Sequence, residues 1–122
     1  MTEQVTQRFQ VQPATRVEGA IQVPGDKSVS HRALMLGAIA TGTSHVTGFL
    51  PGADCLATLT ALRNLGIEVR QQDPTTIDVA GQGMRGLTPA RHGLELDMGN
   101  SGTAMRLFMG LLAAQPFPTE LT

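Results

Sequence analysis

Apolar and polar positions alternate along this chain at two different periods, and the switches between them mark its elements. From Ser28 to about Ala40 the positions Val29, Ala33, Leu36, Ala38, Ile39 and Ala40 predict a well-buried helix, closed by Gly42. Thr43 to Phe49 alternates as a strand does, and Leu50-Pro-Gly-Ala53 is a turn. Asp54 is then placed to cap a second helix through Leu65, with Leu56, Leu59, Leu62 and Leu65 at three-residue steps and Gly66 as its stop. Ile67 to Arg70 and Thr76 to Ala80 predict a hairpin around Asp73-Pro74, and Gly93 to Asp97 a further strand. A third helix opens within Met98 to Arg106 and runs to about Ala114. Upstream, Phe9 to Val11 and Ala20 to Val23 read as short strands separated by Pro13-Ala-Thr and a polar link.

Composition narrows the classes of function more than it selects among them. At 122 residues, 41% hydrophobic and 16% charged, the chain suits one small α/β domain with a modest core. A formal net charge of -1 argues against a general nucleic-acid binder, and an aromatic content of 3%, all phenylalanine, leaves no base-stacking platform. The single cysteine, Cys55, has no partner for an internal disulfide, and no Cys or His cluster has zinc-ligand spacing. No metal or cofactor is therefore expected. The opening residues have neither a basic n-region nor an apolar core, and the longest apolar runs, such as Ala33 to Ala40, fall far short of a membrane span. The expectation is a cytoplasmic protein with no nucleic-acid or membrane partner.

Chemistry concentrates at two helix starts. The only lysine of the chain, against eight arginines, is Lys27, in the run Val23-Pro-Gly-Asp-Lys-Ser-Val-Ser-His-Arg32. The first backbone N–H groups of a helix have no intrahelical acceptor and the dipole is positive there, so Lys27, Ser28 and Arg32 surround a natural site for phosphate or carboxylate. The plainer alternative is a helix that uses Ser28 or Ser30 as its cap, with a surface lysine alongside. Met98-Gly-Asn-Ser-Gly-Thr-Ala-Met-Arg106 restates the theme: Asn100, Ser101 and Thr103 offer side-chain oxygens, Gly102 has no Cβ to keep a ligand from the backbone, and Arg106 adds fixed charge. Here the alternative is a simple cap at Asn100 or Ser101. Two such starts, separated by alternating helix and strand, suggest an internal repeat of supersecondary units.

Other motifs carry less. Gly81-Gln-Gly-Met-Arg-Gly86 matches G-x-G-x-x-G, but no helix follows it as a dinucleotide site requires, and the stretch reads as a hairpin loop. Gly19 to Ser28 fails the P-loop pattern because Asp26 stands between Gly25 and Lys27. Ser30 and His31 are adjacent on a helix and point apart, so they form no nucleophile and base pair. His31, His45 and His92 read as surface or helix-flank residues, and Cys55 as a small buried apolar one.

Pro24 to Leu34 and Gly99 to Arg106 resemble the two N-terminal signatures of 5-enolpyruvylshikimate-3-phosphate (EPSP) synthases. The likeness extends through Leu50-Pro-Gly-Ala-Asp-Cys-Leu-Ala-Thr-Leu59 and Leu65-Gly-Ile-Glu-Val69, from about Val17 to the C-terminus. The related UDP-N-acetylglucosamine enolpyruvyl transferases have asparagine after the equivalent lysine, so Ser28 and Arg32 favour the shikimate family.

The resemblance implies an inside-out barrel fold built from βαβαββ units, here the first unit and the start of the second. Residues 1–24 would then be strands packing with a second domain, 25–97 the first unit and 98–122 the truncated start of the next. It implies transfer of the enolpyruvyl group of phosphoenolpyruvate to the 5-hydroxyl of shikimate 3-phosphate, with phosphate released, in aromatic amino-acid biosynthesis. By position, Lys27 would contact both substrates, Ser28 and Arg32 shikimate 3-phosphate, and Gly102 phosphoenolpyruvate. Asn100 and Thr103 would shape the loop at Gly102, and Arg106 would support it. The herbicide glyphosate competes for the phosphoenolpyruvate site of this family, and a glycine at position 102 implies no resistance there. Family members are several times longer, and the acid and base carboxylates, a second catalytic lysine and further arginines have no counterpart here. The implication is an N-terminal piece, inactive alone, that needs a complementing C-terminal polypeptide or self-associates. A non-catalytic anion-binding or interaction module that keeps the fold unit is the competing expectation.

Overall fold

Asp26 starts the first regular element of the computed structural model, which describes residues 7–122. Its carboxylate accepts the Val29 N–H at 2.7 Å and caps α1 (Lys27–Ile39), so neither Ser28 nor Ser30 is the cap. Leu34, Met35 and Ala38 face inward from α1. The helix ends at Ala40 without using Gly42, which lies instead at φ 93° in the following strand, β1 (Thr41–Thr47).

Helix α2 (Ala53–Asn64) has Gly52 at its N-cap with no side-chain cap, so Asp54 sits inside the first turn and does not cap it. Its C-terminus follows the expectation. Gly66 adopts φ 83°, its N–H donates to Arg63 O, and the Ile67 N–H reaches Leu62 O at 3.0 Å. This pair of bonds is the Schellman arrangement that a residue without Cβ permits.

Strands β2 (Glu68–Asp73) and β3 (Thr76–Gln82) form the hairpin, with Asp73 Oδ1 accepting from the Thr75 N–H at 2.8 Å to fix the turn. β1 pairs with the other edge of β3, giving an antiparallel sheet of order β1-β3-β2. Val69, Ile77 and Val79 are buried on the face that meets α1 and α2, whereas Glu68, Arg70 and Asp78 alternate with them on the opposite face. Two glycines allow α1 to lie close on β3. A Cβ on Gly81 would stand 2.3 Å from Ala40 O and 2.4 Å from Gly37 O, and one on Gly37 would press on Val79 at 3.3 Å.

The loop after β3 is not the hairpin loop the sequence suggested. It packs against the C-terminus of α2 through Thr88 N–H to Leu65 O at 2.8 Å and Ala90 N–H to Asn64 O at 2.9 Å, then crosses to a second sheet. There β4 (Leu94–Leu96) and β5 (Thr119–Leu121) run parallel, joined through α3 (Gly102–Ala113). β5 has no sequence-based forerunner. Leu96, Met98, Ala104 and Phe108 bring this βαβ unit into one continuous core with Leu34, Leu62 and Ile77.

The two N-terminal strands are not formed. Residues 7–26 carry no helix or strand, and Phe9, Val11, Val17, Ile21 and Val23 are exposed. A strand needs a neighbour for its backbone groups, and no described strand pairs with that segment.

The seat of α1 on β3 yields a paired expectation. Gly81→Ala should lower stability by about 1–3 kcal/mol through overpacking against backbone oxygens that have no freedom to retreat. Gly110→Ala, where a Cβ meets nothing within 4 Å, should instead stabilise by up to about 1 kcal/mol, the helix-propensity gain of alanine over glycine. Urea unfolding of both variants checks the contrast.

Candidate active site

The two helix starts singled out in the sequence open α1 and α3. At the first, the Lys27 ammonium forms an ion pair with the Asp54 carboxylate across to α2, and remains half-exposed. The hydrogen bond with Asp54, then its charge, raises the Lys27 pKa above the ordinary 10.5. A cation at the positive end of a helix is ordinarily unfavourable, and apart from the Asp26 cap the first turn of α1 holds no acidic residue to offset it. The charge paired with the ammonium comes from the next helix. Asp54 sits where a carboxylate belongs, in the first turn of α2.

Ser28 is half-buried beside Lys27, whereas Ser30 turns inward to a structural task. Its hydroxyl donates to Asp26 O at 2.7 Å and accepts the Leu50 N–H at 3.0 Å, tying the turn before α2 to the start of α1. Gly25 is fixed by the same region, since a Cβ there would fall 2.0 Å from Gly48 O.

At the second start Ser101 is buried and caps α3, accepting the Ala104 N–H at 3.1 Å. Asn100 and Gly102 are exposed and Thr103 half-buried. Gly102 has an ordinary backbone conformation, and a Cβ built on it meets nothing within 4 Å. Nothing within the described residues therefore requires glycine there.

One turn or so beyond each start stands an arginine, and the fold brings those two together. Arg32 of α1 and Arg106 of α3 line the same groove, about 330 Å³, whose floor is Met35, Leu36, Leu107 and Leu111. Asn100, Gly102 and Thr103 lie outside this groove, on the opening of α3. Lys27 and Ser28 also lie outside it, and its lining is almost wholly apolar, with the two arginines contributing their stems more than their guanidinium groups.

Sequence reasoning missed Asp54, reading it as a cap, and misplaced His31. His31 is fully buried, its Nδ1 2.8 Å from Thr58 Oγ1, and its Nε2 has no partner among the described residues. The helical spacing held the signal: His31 is four residues after Lys27, as Thr58 is after Asp54, so each pair shares a helix face. His45 is exposed and paired with Asp78 at 2.5 Å on the outer sheet face, and His92 is exposed. Cys55 is buried, its thiol directed to Lys27 O at 3.6 Å and pushed up in pKa by that burial, which keeps it protonated. Among the described residues no group of three or more His, Cys, Asp or Glu is placed to hold a metal, and no helix is long and apolar enough to cross a membrane.

Two helix starts with anion-suited residues, on an αβαββ unit followed by a βαβ unit, define an α/β protein of the kind the motifs resemble. Comparison makes the assignment specific: residues 11–122 match the family described as EPSP synthase (3-phosphoshikimate 1-carboxyvinyltransferase), and the chain belongs to that family. It is 55% identical over 114 residues to the 3-phosphoshikimate 1-carboxyvinyltransferase of Lactiplantibacillus plantarum, covering 93% of this chain and 26% of the relative. The enzyme of that name from Hydrogenovibrio crunogenus is 52% identical, with 93% and 25% covered. A solved EPSP synthase from Acinetobacter baumannii superposes with a TM-score of 0.77 at 53% identity, over 85% of this chain and 23% of that one. The chain spans about a quarter of the length of these relatives.

Buried His31 makes the fold sensitive to mild acid. Burial lowers its pKa below the ordinary 6.5, so the folded protein holds it neutral while the unfolded chain takes up a proton. Its contribution is fully present above about pH 6.5 and is lost as pH falls from there through the lower folded value. Urea unfolding between about pH 7.5 and 5 should show this loss, and His31→Gln should flatten it. The depressed Asp73 and Asp78 carboxylates act only in a more acid window, below their ordinary 3.8.

Proposed function

We propose that this chain supplies the N-terminal share of the active site of a shikimate-pathway enolpyruvyl transferase. Lys27 contacts both phosphoenolpyruvate and shikimate 3-phosphate, and Ser28 and Arg32 bind shikimate 3-phosphate. Gly102 lines the phosphoenolpyruvate pocket, with Asn100 and Thr103 shaping its loop and Arg106 supporting it. The observation that carries this reading is the family match over residues 11–122, which contains both signature helix starts. The half-exposed ammonium of Lys27 and the placing of Arg32 and Arg106 on one groove support it further.

In the proposed reaction the 5-hydroxyl oxygen of shikimate 3-phosphate attacks the enolpyruvyl carbon that bears the phosphate. The hydroxyl proton is removed, a proton is delivered to the methylene carbon, and a tetrahedral intermediate forms. It then loses inorganic phosphate, and deprotonation of the methyl group restores the double bond. The part played by this chain is electrostatic and positional: fixed cations and free backbone N–H groups hold two anions against their mutual repulsion and steady the charge on the departing phosphate. Proton transfer is assigned to carboxylates in the remainder of the enzyme, so this chain alone is inactive.

The partner is a complementing C-terminal polypeptide of the same enzyme. It accounts for the exposed apolar segment from Phe9 to Val23, which would gain a sheet edge by docking onto it. In this assignment residues 25–97 belong to the first βαβαββ unit, whose opening strand the segment before Pro24 would supply on docking, and 98–122 open the second, with β4 linking the two through its pairing with β5. The reaction is placed in the cytoplasm, consistent with a free buried Cys55. With glycine at position 102, glyphosate is taken to compete for the phosphoenolpyruvate site without resistance from that position.

Phosphate release from the two substrates, measured with this chain alone and then with the C-terminal remainder of a family synthase, tests the proposal. Turnover only in the mixture is expected, and Lys27→Ala should abolish it. A folded chain that stays silent in both conditions overturns the assignment in favour of a non-catalytic module. Gly102→Ala should leave the melting temperature of the chain unchanged while weakening phosphoenolpyruvate use in the mixture.

A further inference from the structure

We infer that Asp54 is a positioning residue for Lys27, holding the ammonium in place before an anion arrives; this rests on the anion-site reading above. Asp54 does not cap α2, which starts at Gly52 without a side-chain cap, so its carboxylate is free for the pair. The location of that carboxylate is over-determined. His31 and Thr58 meet 2.8 Å apart, fully buried, one helical turn beyond Lys27 and Asp54 on their respective helices. The two contacts are successive rungs between α1 and α2, and the buried rung fixes the register that brings the exposed rung together. A third tie, Cys55 Sγ to Lys27 O, joins the first turns of the same helices. The groups acting on the ammonium are Asp54 and Cys55 from α2. Asp26 and His31 are the titratable neighbours on its own helix and cap.

A flexible lysine at the positive end of a helix is disfavoured there by the dipole, and the Asp26 carboxylate beside it is engaged in capping the Val29 N–H. The α2 carboxylate pairs with the ammonium and holds it near the exposed N–H groups, so less rotamer freedom remains to be lost when an anion binds. Charge alone makes the opposite prediction. Removing a carboxylate beside an anion site relieves repulsion and should tighten binding, an effect that salt screens over about 8 Å at physiological ionic strength.

Lys27 is the only lysine of the chain, so labelling with lysine enriched in carbon-13 at Cε gives one side-chain signal that reports on it alone. The intact chain, Asp54→Asn and Asp54→Glu are titrated first with pH and then with inorganic phosphate, with circular dichroism checking the fold. The wild-type signal should titrate above 10.5 and sharpen to one position, and Asp54→Asn should return it toward the ordinary value. Phosphate affinity at Lys27 should weaken about three- to tenfold in Asp54→Asn and recover in Asp54→Glu. A phosphate-responsive Lys27 whose affinity is unchanged or tighter in Asp54→Asn overturns the positioning role alone. A wild-type signal that ignores phosphate overturns the anion site and the positioning role together. An unchanged Lys27 pKa in folded Asp54→Asn shows that the pair does not form in solution, and also overturns it.

Discussion

The close approach of α1 to β3 is the contact on which the rest of the molecule depends. Gly81 on the strand and Gly37 on the helix remove the Cβ atoms that would hold the two apart, and the backbone oxygens of Gly37 and Ala40 occupy the space gained. With α1 seated there, its first turn is carried to the start of α2, where Ser30 ties down the turn before Asp54. The geometry around Lys27 is therefore a consequence of backbone packing some ten residues along the same helix.

Electrostatics then follows from how helices α1 and α2 sit together. A lysine opening a helix and an aspartate one residue into the next would each be unremarkable alone. Side by side they form a pair in which the aspartate is favoured by its own helix and the lysine is disfavoured by its own. Such an arrangement keeps a cation available at a place where oriented N–H groups already favour anions. It also explains why a residue as costly to bury as His31 is tolerated between the helices, because its bond to Thr58 sets their mutual register.

Much of this was legible in the residues. The helical steps of Leu56, Leu59, Leu62 and Leu65, the Gly66 stop and the Asp73-Pro74 turn gave three elements close to their observed limits, because local periodicity and turn chemistry decide them. The signature runs led directly to Lys27 and to the α3 opening. What escaped were features settled by distant partners. β5 exists because β4 lies beside it, and Phe9 to Val11 stays unpaired because no strand does the same for it. His31 looked like a flank residue because its burial comes from α2, and Asp54 looked like a cap because its partner lies 27 positions away. The cap that does form at Asp26 was hidden by two serines nearby, equally suited by type.

The two faces of the β1-β3-β2 sheet differ in a way that sets a direction of growth. Its outer surface carries Glu68, Arg70, Asp78 and the paired His45, a wet and charged face that gains little by being covered. The helices on its other side leave Leu36 and Met109 uncovered and an apolar floor between α1 and α3. A further layer that covers Leu36, Met109 and that floor arrives on the helical side. An assembly enlarged by that rule acquires a helical interior and a skin of sheets, the reverse of the usual layering of α/β proteins.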